Sequence, residues 1–234
     1  MNKGSLYLIP SPLGDYAPSE VIPEGTLRVL QGIGTFVVEE VRTARRYLSA
    51  AGLKGRIQDL KFHELNEHST EADVAALAAL FEKGDVGLIS EAGLPAVADP
   101  GAALVALCHR EGIRVIPLSG PSSLMLALMA SGLDGQSFAF RGYIPAKTDE
   151  RRAAIRRLEK DSAAAHQTQI IIETPYRNDS LLKDLLEQLN PRTRLCTAAA
   201  LTTPDAFVRT ASVQSWRKNP VQIGKIPCVF LILA

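Results

Sequence analysis

Residues 86–101 read V-G-L-I-S-E-A-G-L-P-A-V-A-D-P-G. Val86–Ile89 is apolar apart from its glycine, as a strand buried on both faces of a parallel sheet would be. The run breaks into Ser90-Glu91-Ala92-Gly93-Leu94-Pro95, breaks again at Asp99-Pro100-Gly101, and continues as a helix-like stretch from Ala102 to Glu111. A buried strand, a punctuated loop and a helix in that order point to a parallel sheet clad in helices. In such sheets the loops after the carboxyl ends of strands are where ligands bind. Gly93 allows close backbone approach, and Pro95 and Pro100 fix φ nearby. Taken alone, the same loop also serves as a plain strand-to-helix connection.

The rest of the chain repeats the pattern. Leu6–Ile9 is a short apolar run ended by Pro10-Ser11-Pro12-Leu13-Gly14-Asp15, where two prolines exclude a helix. A helix is expected around Leu27–Leu30 up to Gly32, then a strand over Thr35–Glu39 and a helix over Arg42–Ala51, stopped by Gly52. Gly32-Ile33-Gly34 precedes a strand instead of following one, so it is no dinucleotide fingerprint. Thr70 with Asp73 three residues on is an approximate capping box. Val74, Leu77, Leu80 and Phe81 form a helical stripe that Gly84 closes. A strand over Ile113–Leu118 and a nearly all-apolar helix over Leu124–Ala130 follow. So apolar a helix should be buried between layers or subunits. The order βαβαβαβα argues for a mostly parallel sheet covered on both faces.

Beyond this point the spacing changes. Strands are expected at Phe138–Tyr143, Gln169–Glu173, Leu195–Ala200, Ala206–Ala211 and Pro227–Leu233, with helices at Asp149–Lys160 and Asn178–Leu189. The short gaps between the later strands suggest antiparallel pairing. Two domains are expected, residues 1–118 and 119–234, with the boundary near Leu118.

With 46% hydrophobic and 22% charged residues the chain should be globular. Its 26 Lys and Arg against 25 Asp and Glu announce no nucleic-acid partner, so any basic surface must be local. Cys108, Cys196 and Cys228 are scattered, odd in number and without a CxxC pair, which suggests neither a disulfide framework nor a zinc site. No signal peptide and no apolar run of about 18 residues is found, so a cytoplasmic location without a membrane partner is expected.

Several stretches could carry chemistry. Glu39 and Glu40 at a strand end are a general base and its neighbour, with Arg42 to orient or stabilise charge, or else a solvated turn. Asp99 before Pro100 either faces a ligand cation or caps a helix. His63 and His68 lack the HExxH spacing and read as surface histidines. A GxSxG elbow and a Walker phosphate loop are both absent. The basic segment Arg141–Lys160, with Arg151, Arg152, Arg156 and Arg157, either holds a phosphate backbone or is an exposed helix partnered by Glu150, Glu159 and Asp161.

Taken in register, Pro10–Asp15, Glu39-Glu40-Val41-Arg42, Ser90–Pro95, Asp99-Pro100-Gly101 and Ser119-Gly120-Pro121-Ser122 resemble consecutive motifs of the tetrapyrrole methylase superfamily. The branch is that of the bacterial small-subunit ribosomal RNA 2′-O-methyltransferases, which act on a cytidine ribose. Gly142–Lys147, Glu173-Thr174-Pro175-Tyr176-Arg177 and Ala200–Pro204 extend the likeness over nearly the whole chain. The resemblance implies a tetrapyrrole-methylase-like fold of two α/β domains, the N-terminal sheet mostly parallel and the C-terminal one mixed, with a cofactor cleft between them. It implies methyl transfer from S-adenosylmethionine (SAM) without a metal, a homodimer, and an RNA or ribosomal-subunit substrate.

The cofactor roles implied fall on Pro10, Ser90, Glu91, Ala92, Gly93, Val97, Ser122 and Ser123, and in the second domain on Thr174, Leu201 and Pro227. For the chemistry, Glu40 is the first choice of base toward a ribose hydroxyl and Glu39 the second. Arg42 holds a phosphate or orients the carboxylate, and Lys147 holds a neighbouring phosphate. The usual motifs are Glu-Asp-Thr-Arg, Ser-Asp-Ala-Gly-Thr-Pro and a proline where Ser119 stands. Here Glu40 and Glu91 keep the charge with an added methylene, and Val41 and Leu94 each remove a hydroxyl. Two other readings stay open: methylation of a small tetrapyrrole-like molecule, against which the missing Gly-Asp-Pro loop speaks, and a SAM-binding protein without catalysis.

Overall fold

The structure, a computed structural model, describes residues 3–234. The chain divides into two compact units, one through Ser122 and one from Ser123. The division falls after Ser122 instead of Leu118 because the intervening residues are tied to the first unit. Leu118 N–H donates to Leu8 O, and Ser119 O accepts from Thr26 Oγ1.

The first unit contains β1 (Leu6–Ile9), α1 (Glu24–Gly32), β2 (Thr35–Val38), α2 (Val41–Leu48), β3 (Lys61–Glu64), α3 (Glu71–Ala76), β4 (Val86–Ile89), α4 (Gly101–Arg110) and β5 (Val115–Pro117). Its strands form a five-stranded sheet in the order β3-β2-β4-β1-β5, and each neighbouring pair is parallel. Alternation along the strands splits the apolar residues between the two faces. Ile9, Phe36, Val38 and Ile89 pack with Leu30 of α1 and with Ala44, Tyr47 and Leu48 of α2. Leu6, Val37, Val86 and Leu88 pack on the other face with Phe81 and with Leu104 and Leu107 of α4. β4 is central and buried at every position, as its unbroken apolar run requires.

Two helices end sooner than their sequence stripes. α2 gives way at Ser49–Leu53 to a wider turn in which Gly52 takes φ +99°. The stripe begun by α3 continues as a 3₁₀ helix over Leu77–Glu82. The Thr70–Asp73 capping box is present: Asp73 N–H donates to Thr70 Oγ1 at 3.2 Å, and Thr70 N–H to Asp73 Oδ2 at 2.8 Å.

The second unit contains α5 (Ser123–Ser131), β6 (Phe138–Tyr143), α6 (Thr148–Ala165), β7 (Thr168–Ile172), α7 (Asn178–Gln188), β8 (Arg194–Ala199), β9 (Phe207–Ser212), α8 (Val213–Lys218) and β10 (Cys228–Leu233). Its sheet runs β6-β7-β10-β8-β9. The β6–β7 pair is parallel and the others are antiparallel, so the sheet is mixed. One face is covered by α6, α7 and α8, with Ile155, Leu181, Leu185 and Trp216 at its centre. The other face is covered by α5 through Leu124, Ala127 and Leu128. Burial between layers thus covers one side of α5, and on the other side of the helix Met125 is 44% and Met129 76% exposed in the single chain.

The basic segment is mostly structural. Arg151 Nε donates to Asp184 Oδ2 at 2.7 Å, and Arg152 reaches Asp184 at 2.9 Å and Glu187 at 2.7 Å. Of the carboxylates expected as partners, Asp161 pairs with Arg141 at 3.7 Å and Glu150 with Lys147 at 3.4 Å. Glu159 instead accepts from Asn190 N–H and Thr193 Oγ1. All three cysteines are free and buried. Among the described residues no helix is long and apolar enough to cross a membrane, and no group of His, Cys, Asp and Glu could hold a metal ion.

Candidate active site

Because β1, β2, β4 and β5 are parallel, the loops leaving their carboxyl ends gather at one edge of the first unit. This brings together Pro10, Glu39, Glu40, Ser90–Gly93 and the Ser119–Ser122 segment. Ser11 and Gly93 exchange backbone hydrogen bonds at 2.9 and 3.1 Å, and Ser11 Oγ donates to Ser90 O at 3.0 Å. Gly93 holds φ +74°, in the left-handed region that suits glycine, and an added Cβ would lie 3.1 Å from Leu13 and 3.5 Å from Pro121 O. Gly120 lies so close to Pro10 that a Cβ would come within 2.3 Å of its ring. Tyr47 Oη donates to Pro10 O at 2.7 Å and so fixes that residue from α2.

The two glutamates differ in environment. Glu40 is the N-cap of α2: its carboxylate accepts from Arg42 N–H and Thr43 N–H, each at 2.7 Å, and from Thr43 Oγ1 at 2.5 Å. The Thr43 hydroxyl bond leads the causes that hold its pKa below the usual carboxylate range. Glu39 is partly buried and accepts one hydrogen bond, from Glu91 N–H at 3.2 Å. Burial is the main cause that raises its pKa, the Glu91 N–H bond opposes it, and the charges of Asp99 and Glu91 add to the rise. Asp99 caps α4 through its Oδ1, which accepts from Gly101 N–H at 2.6 Å, while its Oδ2 is buried without a partner. Arg42 is exposed in the first turn of α2. Val97 is 45% exposed between Ala96 and Ala98, which both have positive φ, at 65° and 58°.

Next to this edge the first unit holds a cavity of about 340 Å³. It is lined by the loop from Ser11 to Pro18, by Thr43, Ala44, Arg46 and Tyr47 of α2, by Ala50 in the turn after it, by Val38 and Ile89 of the sheet, and by Ser90, Glu91 and Ala92. Tyr16, Arg46 and Tyr47 belong to it and were not singled out from the sequence. Tyr47 lies in the stretch expected as a helix over Arg42–Ala51, and its partner Pro10 is 37 residues away.

In the second unit β6, β7 and β8 point the same way and β10 runs against them. Lys147, Thr174 and Leu201, which follow strands, therefore lie at the same edge as Pro227, which precedes one. Pro227 O accepts from Ala200 N–H at 2.9 Å. Asn178 Nδ2 donates to Gly224 O and Ile226 O, and Asp179 accepts from Ile223 N–H, which clamps the loop before Pro227. Glu173 Oε1 accepts from Thr174 N–H at 2.7 Å and from Arg177, while its Oε2 is buried without a partner. Lys147 is exposed and paired with Glu150. Ser123 opens α5.

The chain is 33% identical over 202 residues to the ribosomal RNA small subunit methyltransferase I of Escherichia coli O157:H7, a match covering 86% of this chain and 66% of that protein. It spans just under two thirds of the length of that protein and of the proteins of the same name from Vibrio cholerae and Neisseria meningitidis. The crystal structure of the methyltransferase CobJ superposes with a TM-score of 0.64 at 15% identity, covering 98% of this chain and 94% of that one. The uroporphyrin-III C-methyltransferase of Thermus thermophilus complexed with S-adenosyl homocysteine does so with a TM-score of 0.56 at 19% identity, covering 98% and 97%. These two show the shared fold. The family model described as Tetrapyrrole (Corrin/Porphyrin) Methylases matches residues 5–215, and the chain belongs to that family.

Proposed function

We propose that the chain is a SAM-dependent methyltransferase that methylates a ribose 2′-hydroxyl of ribosomal RNA. The observation that carries this reading is the carboxyl edge of the first sheet. There the Ser90–Gly93 loop is bolted to Ser11 beside a partly buried carboxylate, Glu39. The name of the Escherichia coli relative supports an RNA acceptor. Gly93 lets this loop pack closely on Leu13 and Pro121, where a Cβ would come within 3.1 Å of the Leu13 side chain. Pro10, Ser90, Glu91, Ala92, Gly93, Val97, Ser122, Ser123, Thr174, Leu201 and Pro227 are put forward as SAM-binding residues.

Bound SAM supplies an electrophilic methyl group. The chain's part is then to hold the acceptor oxygen at near-attack distance, about 3–3.5 Å, and to take its proton. Glu39 suits the second task better than Glu40. The carboxylate of Glu40 is committed to three hydrogen bonds at the start of α2, whereas that of Glu39 has one and a raised proton affinity. Arg42 contributes a fixed positive charge beside them, suited to a phosphate, and Lys147 is put forward for a neighbouring one. A homodimer and a cytoplasmic location belong to the same reading. The exposed Met125 and Met129 on α5 support the former.

The test is incubation of purified protein and labelled SAM with small ribosomal subunits and with their free RNA, followed by mass spectrometry of the nucleosides. A 2′-O-methylated nucleoside is expected. SAM binding without label in any RNA would overturn the reading in favour of a protein that binds SAM without this chemistry.

A further inference from the structure

The cavity beside the first sheet is not explained by the cofactor. Of the residues put forward for SAM, only Ser90, Glu91 and Ala92 line it; Pro10, Gly93, Val97 and Ser122 do not. Its remaining wall comes from α2 and the turn that follows it, from the loop after β1, and from Val38 and Ile89 of the sheet. Its volume of about 340 Å³ is at the small end of the ~300–1,000 Å³ usual for ligand sites. That is room for one ring system and its immediate substituents.

The lining says what kind of ring. Pro12, Leu13, Tyr16, Ala44, Tyr47 and Ala50 give apolar and aromatic surface. Tyr16 Oη accepts from Leu13 N–H and Tyr47 Oη donates to Pro10 O, so backbone bonds hold both tyrosines in place. Around these walls stand two carboxylates, Asp15 and Glu91, and one guanidinium, Arg46, which has no ion-pair partner among the described residues. Two negative charges against one positive disfavour a phosphate inside. A carboxylate and a guanidinium together match an edge that presents both hydrogen-bond donors and acceptors. Single-stranded RNA is recognised through that combination, an unstacked base against aromatic side chains with its edge hydrogen-bonded. Glu91 links the cavity to the chemistry, because it belongs to the lining and its N–H donates to the Glu39 carboxylate.

We propose that this cavity is an acceptor subsite that takes up one unstacked nucleobase of single-stranded RNA, with Arg46, Asp15 and Glu91 reading the edge of the base. The proposal rests on the RNA reading above and adds the place and manner of recognition.

The experiment compares wild type, Ala50→Trp and Arg46→Gln in three measurements. These are anisotropy of a short fluorescein-labelled single-stranded RNA of mixed sequence, calorimetry with S-adenosylhomocysteine, and methyl transfer. Ala50 is an exposed lining residue, so a tryptophan there fills the cavity without entering the core. Ala50→Trp is expected to weaken RNA binding about tenfold or more, the loss of one stacked base, with S-adenosylhomocysteine affinity unchanged. Arg46→Gln should weaken RNA binding by a smaller factor and also leave the cofactor alone. RNA binding equal to wild type in Ala50→Trp overturns the subsite, as does loss of S-adenosylhomocysteine binding, which would give the cavity to the cofactor. Absence of RNA binding by the wild type overturns it as well. Methyl transfer separates the two ideas. A wild type that binds RNA through the cavity but transfers no methyl group sinks only the enzymatic reading. Full transfer by Ala50→Trp sinks only the subsite.

Discussion

The carboxylate of Glu40 takes three hydrogen bonds from the turn it begins, whereas that of Glu39, one residue earlier, takes a single one and sits in reach of Asp99. The pKa of Glu39 in the fold lies above its unfolded value, chiefly through burial. Stability therefore falls as pH rises from the unfolded value through the folded one, and the loss persists above both. Glu39→Gln should accordingly melt higher than wild type at neutral pH. As a base removed from the reaction it should cost about 10²–10⁴-fold in kcat. Glu40→Gln should lower the melting temperature by weakening the cap and leave kcat within a small factor. Asp99→Asn keeps the oxygen that caps α4 and removes a charge that raises Glu39, so the acid limb of kcat/KM should move to lower pH. A limb that stays in place would return the role of base to another group.

At the scale of elements, the loop after β4 carries strain that is open to measurement. Ala96 and Ala98 both sit in the left-handed region, where a Cβ is unfavourable. Ala96→Gly should raise stability by about 0.5–1 kcal/mol, the relief of strain less the entropy glycine gains on unfolding, as read by urea denaturation. That loop was legible in the sequence because an apolar strand, a glycine and two prolines mark it locally. β1, β2 and β4 were found for the same reason, and the Thr70–Asp73 box because its partners are three residues apart. α8 was not found, since six residues with two buried apolar positions, Val213 and Trp216, give too little periodicity to register. Nor could the sequence set Glu40 apart from Glu39 as the capping residue, because a side chain's partners depend on where the next helix begins. Arg151 read as surface charge because its partner, Asp184, lies 33 residues on.

At the scale of the whole molecule, that buried pair joins α6 to α7. Burial alone would push the Asp184 carboxyl up, but the bonds from Arg152 and Arg151 outweigh it and hold the group below the usual range. Its stabilising contribution is present above the unfolded pKa and is lost as pH falls through the folded one. Arg151→Ala leaves a buried carboxylate short of a partner and should cost about 3–5 kcal/mol, measured by denaturant unfolding. The two sheets also differ in how the chain must assemble them. In the first, every strand has been synthesised by Pro117. In the second, the strand latest in sequence, β10, lies in the middle, hydrogen-bonded to β7 on one side and β8 on the other. A nascent chain can thus close its first half while still being translated. β7 and β8 must meanwhile wait with raw edges until Leu233 has cleared the exit tunnel, and during that interval the growing polypeptide is most exposed to mispairing with its neighbours.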